Sequence, residues 1–237
     1  MENSSRHDHD HGFFGPEGES TEHALRRQVL SSALRFGSSV IQLTAGFTSG
    51  NYGLVIEGSE ELTDGVSYGA AAFETRSEFE NKGKIVRKAR GRMVGAAAAA
   101  SMISTVGVGY DIIADQGTWM KPIENLDFSH NDIKAASLAV ALSGIVYYLN
   151  RHSRKSNKPA DRFIFRDSVR DFIIPSAILT TSAISTYAIH IPHIIEYALE
   201  GGSAGYGWWN TNELSKAWSG DSLLVKMKQI LRIGTKQ

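Results

Sequence analysis

The sequence predicts an all-α protein, a polytopic transmembrane helix bundle of five or six helices, on three observations. Four apolar runs carry no charged residue: Phe36 to Ile56, Met93 to Tyr110, Ala135 to Leu149 and Phe172 to Ile189. Each approaches the ~20 residues a helix needs to cross a bilayer at about 1.5 Å per residue. Gly and Ala crowd these runs, as in "GAAAAASM", and small residues let helices pack closely in lipid. The hydrophilic segments between the runs alternate in sign, as loops on opposite sides of a membrane do.

Taken in order, residues 1–24 are polar, contain the alternating "HDHDH" from His7 to His11, and read as a disordered tail able to hold borderline metals. They lack the apolar centre of a secretory signal. A membrane domain follows over residues 25–205, with a short C-terminal segment over 206–237. Its first helix covers about Leu30 to Phe47 and ends in a tight turn at "TSGNYG". The second runs from about Gly53 to Phe73 and leads into the basic segment "RSEFENKGKIVRKARGR". The third starts near Met93, and after it come Asp111, Asp115, Glu124, Asp127 and Asp132 against Lys121. The fourth ends by Leu149 in the basic "NRHSRKSNKPADRFIFR", and the fifth starts near Phe163. Basic loops assigned to the cytoplasm place the N-terminus there, in an integral membrane protein. A sixth span after Ile195 is poorly marked, although Trp208 and Trp209 suit an interfacial anchor or a core.

Composition excludes several classes. The chain balances 25 acidic against 25 basic residues, and its basic clusters lack interleaved aromatics, so nucleic acid is not an expected partner. No cysteine is present, which removes thiolate metal sites, disulfides and cysteine nucleophiles. No serine sits in a nucleophile-elbow context, and no enzyme is expected.

The chemistry concentrates in two acidic patterns. Glu57, Glu60, Glu61 and Asp64 are spaced i, i+3, i+4 and i+7, so all four leave one helix face. Asp167 and Asp171 repeat the i, i+4 spacing in "FRDSVRDFIIPS". Four convergent carboxylates, Glu60, Asp64, Asp167 and Asp171, form a hard oxygen site for a divalent cation and take up protons when it leaves. Arg166 and Arg170 interrupt the second pattern. The alternative reading pairs them with the acids in interhelical salt bridges, within a non-transporting helical scaffold or interaction protein. A mean hydropathy of −0.20, low for a multispan protein, also leaves room for a bundle in water.

The stretch "SGNYGLVIEGSEELTDG" resembles the second-helix signature of the cation diffusion facilitator family, with Glu60 and Asp64 at the two liganding positions. Asp167 and Asp171 match its fifth-helix signature, and Asn150 before a basic loop fits as well. The resemblance spans roughly Ala24 to Ile189 and implies a metal/proton antiporter, usually a homodimer, embedded in a lipid bilayer. It implies Mn²⁺, Fe²⁺ or Zn²⁺ as cargo: oxygen ligands favour the first two, while zinc selection in the family is associated with an imidazole in place of Glu60.

Overall fold

The computed structural model describes residues 20–114, 130–187 and 193–225. The "HDHDH" tract, the acidic positions from Asp115 to Asp127, His190 and the basic tail beyond Val225 lie outside them. The described residues form α1 (Thr21–Ser49), α2 (Tyr52–Phe79), α3 (Gly83–Ala114), α4 (His130–Asn150), a 3₁₀ turn (Arg151–Lys155), α5 (Pro159–Tyr187) and α6 (His193–Ser219).

Local chemistry sets the boundaries. The Ser20 side chain caps α1 by accepting from the His23 N–H, and Gly50, at φ 75°, ends the helix in the left-handed conformation that glycine adopts without a Cβ clash. Asn51 then caps α2 by accepting from the Leu54 N–H. The turn at "TSGNYG" is therefore where the sequence places it, and it divides the uncharged run Phe36 to Ile56 between two helices. The basic segment after α2, by contrast, is mostly helix. Only Glu80 to Lys82 interrupt it, and Lys84 to Arg92 form the first turns of α3. Lys and Arg are good helix formers. Pro159 opens α5 at the position where a missing N–H costs nothing.

The six long helices close into a ring. In order around it, α1 packs on α2, α2 on α3, α3 on α6, α6 on α5, α5 on α4, and α4 back on α1. Each helix thus has two neighbours around the ring, and α2 and α5 also touch across its interior. Tyr68, Met93, Val146, Phe163, Ile164 and Leu214 form an apolar layer inside it. Much of the rest of the interior is polar. On α1 the buried face is Arg27, Gln28, Ser31, Arg35, Ser38, Ser39 and Gln42, whereas Val40 and Phe47 are 63% and 72% exposed.

This arrangement corrects the expected polytopic transmembrane bundle. Among the described residues, two stretches, Gly83–Tyr110 and Ile133–Lys155, are long and apolar enough to cross a membrane. In α1, α2 and α5 charged side chains break the apolar stretches, and they turn inward onto one another instead of lining a path through lipid. The dependent expectations fall with the spans: an integral membrane protein with a cytoplasmic N-terminus, lipid bilayer contact, and the homodimer of a transporter.

Two kinds of glycine test the packing. An added Cβ at Gly46 would sit 2.8 Å from Val55 Cγ2 and 2.9 Å from the Asn51 carbonyl oxygen, where α1 and α2 nearly touch. At Gly91, inside α3 and exposed, it would meet nothing within 4 Å. Gly91→Ala is expected to raise the unfolding free energy by roughly 0.8–1 kcal/mol, the helix-interior difference between the two residues. Gly46→Ala is expected to lower it by about 1–3 kcal/mol through overpacking. Urea unfolding of both variants measures the contrast, and equal effects would contradict the ring's close α1–α2 contact.

Candidate functional site

Seven charged side chains from three helices meet inside the ring. Helical spacing on α2 directs Glu60, Glu61 and Asp64 to the interior, and the same spacing on α5 directs Asp167, Arg170 and Asp171 toward them. Arg35 reaches in from α1. The acidic face of α2 is consequently buried at Glu61 and Asp64, the latter 1% exposed, and half-buried at Glu57 and Glu60.

The guanidinium of Arg170 occupies the centre. Its Nη2 lies 2.9 Å from Glu60 Oε1, 3.2 Å from Asp64 Oδ2 and 3.3 Å from Asp167 Oδ1, while Nε lies 2.5 Å from Asp171 Oδ1. Arg35 takes the adjacent position, with Nη1 2.7 Å from Glu61 Oε1 and Nη2 2.5 Å from Asp171 Oδ2. Asp171 therefore bridges both arginines. Ser104 on α3 donates to Glu60 Oε2 at 2.5 Å, and the Tyr68 hydroxyl accepts from Arg35 and donates to the Ile164 carbonyl. The arginine–carboxylate pairs and the Ser104–Glu60 bond are charge-assisted, the stronger class of hydrogen bond.

Arg166, which the sequence offers as an equal partner, points elsewhere. It stacks on the Trp209 ring of α6 at 4.8 Å, and the Trp208 indole N–H donates to Thr105. Arg35 is the residue that sequence reasoning misses. Its signal lies in the polar spacing Arg27, Ser31, Arg35, Ser38, Gln42, a helical stripe in a segment otherwise read as a membrane span.

Two further ion-pair groups flank the centre. Arg27 lies 3.2 Å from Asp161 and donates to Asn150 Oδ1 at 2.7 Å, and Asn150 in turn donates to Ser31. Asn150 thus ties α4 to α1. Arg90 of α3 lies 2.6 Å from Glu74 and 2.8 Å from Glu78, with Trp218 of α6 under its guanidinium at 5.5 Å.

Electrostatics follow from the burial. Five carboxyl groups face two guanidinium groups in the centre, an excess of three negative charges if all were ionised. Desolvation, with mutual repulsion behind it, raises Glu60, Glu61 and Asp64 above their ordinary values and pushes Asp167 up to about 7. Burial alone would lower both arginines, but Asp171 and its neighbours overcome it and hold them well above theirs. Asp64 Oδ1 and Asp167 Oδ2 are buried without a hydrogen-bond partner among the described residues, and a proton can sit there.

Of the four expected ligands, Glu60, Asp64 and Asp171 each offer an oxygen within 4.8 Å of the other two. These three carboxylates could coordinate a divalent cation. Asp167 lies outside that set. Comparisons with protein-family models, curated proteins and solved structures give no match. The resemblance to the cation diffusion facilitators is accordingly corrected: its two short motifs bring their acids around a guanidinium, in a ring with two span-like helices. The metal/proton antiport it implied is corrected on the same geometry.

The raised carboxyl groups dictate a pH dependence. A carboxyl that binds its proton more tightly folded than unfolded adds stability below its unfolded value, and that stability is lost as pH rises through the folded value. For Asp167 the window runs from about pH 4 to about pH 7. The midpoint of urea unfolding is therefore expected to be higher at pH 5.5 than at pH 8, and Asp167→Asn is expected to flatten the difference. A rise in stability with pH across this window would contradict the assignment.

Proposed function

We propose that the chain is a non-transporting helical scaffold or interaction protein whose helices are locked by buried arginine–carboxylate pairs. One observation carries the reading: Arg170, 5% exposed, contacts four carboxylates from two helices, and Asp171 hands the contact on to Arg35 of a third. A guanidinium so placed is a fixed positive charge that belongs to the fold. Removing one partner of a buried pair leaves the others uncompensated, which is the costly event in such networks. The large apolar side chains left outside, including Val40, Phe47, Met102 and Val106, support a role in contacting other proteins. The reading involves no catalysis.

A second reading rests on the three close carboxylates. We propose it in a limited form: a divalent cation held by Glu60, Asp64 and Asp171 as a bound ion, displacing the guanidinium of Arg170. An all-oxygen donor set suits Mn²⁺ or Fe²⁺, and Zn²⁺ accepts carboxylates at about 2.0–2.2 Å.

One pair of variants separates the two. On the scaffold reading Arg170→Gln loses about 3–5 kcal/mol of unfolding free energy at pH 7.5 in chelator. Asp64→Asn added to it restores part of that loss by removing an unpaired charge. Neither Mn²⁺ nor Zn²⁺ moves the wild-type melting temperature. An Arg170→Gln protein as stable as wild type would overturn the scaffold reading, and a wild type stabilised by Mn²⁺ in preference to Zn²⁺ would support the bound cation.

A further inference from the structure

The outward side of α3 is a face that nothing in the ring covers. Lys84, Arg87, Lys88 and Arg92 emerge from its first three turns, all exposed and with no ion pair among the described residues. At helical spacing the same stripe continues through Gly91, Gly95 and Ala99 to Met102 and Val106, which are 61% and 60% exposed. From Lys84 to Val106 the stripe runs ~33 Å at 1.5 Å per residue. It is basic for its first third, flat in the middle and apolar beyond.

We propose that this face docks an α-helix of a partner protein, one that carries acidic residues at one end of its contact face and apolar residues along the rest. The inference rests on the interaction-protein reading above and gives the partner its chemistry. Charge complementarity sets the acidic end, because unpaired cations on an interface need carboxylates opposite them. Gly91 and Gly95 set the partner's shape. Both lie inside a helix, where glycine is among the least favourable residues, and an added Cβ at either meets nothing within 4 Å. The fold makes no use of the space they leave, whereas a second helix axis could approach closely across it.

Other occupants fit the stripe less well. A second copy of this chain would set α3 against α3. Parallel pairing would place cations on cations, and antiparallel pairing would place them on Met102 and Val106. A lipid surface is met by helices whose apolar and basic residues lie on different faces. On α3 both lie in series on one face, and the opposite side is buried against α2 and α6. Nucleic acid would need aromatic side chains among the cations, and Lys84 to Arg92 contain none.

The test uses the full chain and two fluorescent Ala/Leu helical peptides of about seven turns, identical except for Glu or Lys in the first two turns. Fluorescence anisotropy is expected to show the Glu peptide binding at least about tenfold more tightly than the Lys peptide. Gly91→Leu with Gly95→Leu is expected to weaken the Glu peptide at least about tenfold while helicity and melting temperature are not lowered. Lys84→Glu with Lys88→Glu is expected to reverse the preference. Equal affinity for the peptides, binding of neither, or no loss in the glycine variant would overturn the proposal. So would phosphatidylglycerol vesicles, or self-association in sedimentation, that respond to these variants while the peptides do not. None of these outcomes bears on the stability of Arg170 variants, so the scaffold reading stands or falls separately.

Discussion

Charge buried away from water has to be matched where it lies, and the interior of this ring is organised by that requirement. Arg35 and Arg170 are nearly inaccessible, and a guanidinium cannot escape the cost by losing its proton. Carboxylates must come to it. Asp171 satisfies both arginines, and Glu60, Glu61, Asp64 and Asp167 fill the remaining sides, so three helices are fixed relative to one another by one cluster. The carboxyl groups, unlike the arginines, can adjust by protonation, and the raised values of Glu60, Glu61, Asp64 and Asp167 express that freedom.

The rest of the fold follows. α1 turns its polar stripe inward because its arginines find their partners there, which leaves Val40 and Phe47 outside. α1 and α5 are not neighbours in the ring, yet Arg27–Asp161 and Arg35–Asp171 join them across it at two levels. A whole set of buried ion pairs can often be replaced by apolar residues at little cost in stability. Its effect lies in what it forbids. A register slip by one turn on α1 or α5 would strand a guanidinium among apolar neighbours, whereas an apolar stripe of small residues would tolerate the slip.

Much of this architecture is legible in the sequence. The i, i+3, i+4, i+7 acids of α2 do share an inward face, Asp167 and Asp171 do approach them from α5, and the turn at Gly50 falls where the glycines predict it. Asn150 is buried at the end of α4, tied to Arg27 and Ser31. The environment is not legible in the same way, because an apolar run suits a protein interior as well as a bilayer. The uncharged run Phe36 to Ile56 suits lipid by composition, yet the polar side of α1 within and before it, from Arg27 to Gln42, is turned into the ring. The basic stretch Lys84 to Arg92 has the composition of a loop, yet it continues a helix. For Arg35 the polar stripe of α1 is in the sequence, but the partner it faces is fixed only when the ring brings Asp171 of α5 within reach. Partner choice is a tertiary property, and Arg166, on the adjacent turn from Arg170, shows it by stacking on Trp209 instead.

The central claim is that Arg35 and Asp171 act as one unit across the ring, and a double-mutant cycle on that pair tests it most directly. Arg35→Met, Asp171→Asn and the double variant would be unfolded in urea at pH 7.5. Residues that share a buried ion-pair network couple by about 0.5–3 kcal/mol, whereas independent sites add to within about 0.3–0.5 kcal/mol. The account predicts a coupling of at least ~1.5 kcal/mol, with the double variant losing much less than the sum of the single losses. Additive losses would mean that α1 is held by its ring neighbours alone, and would contradict it.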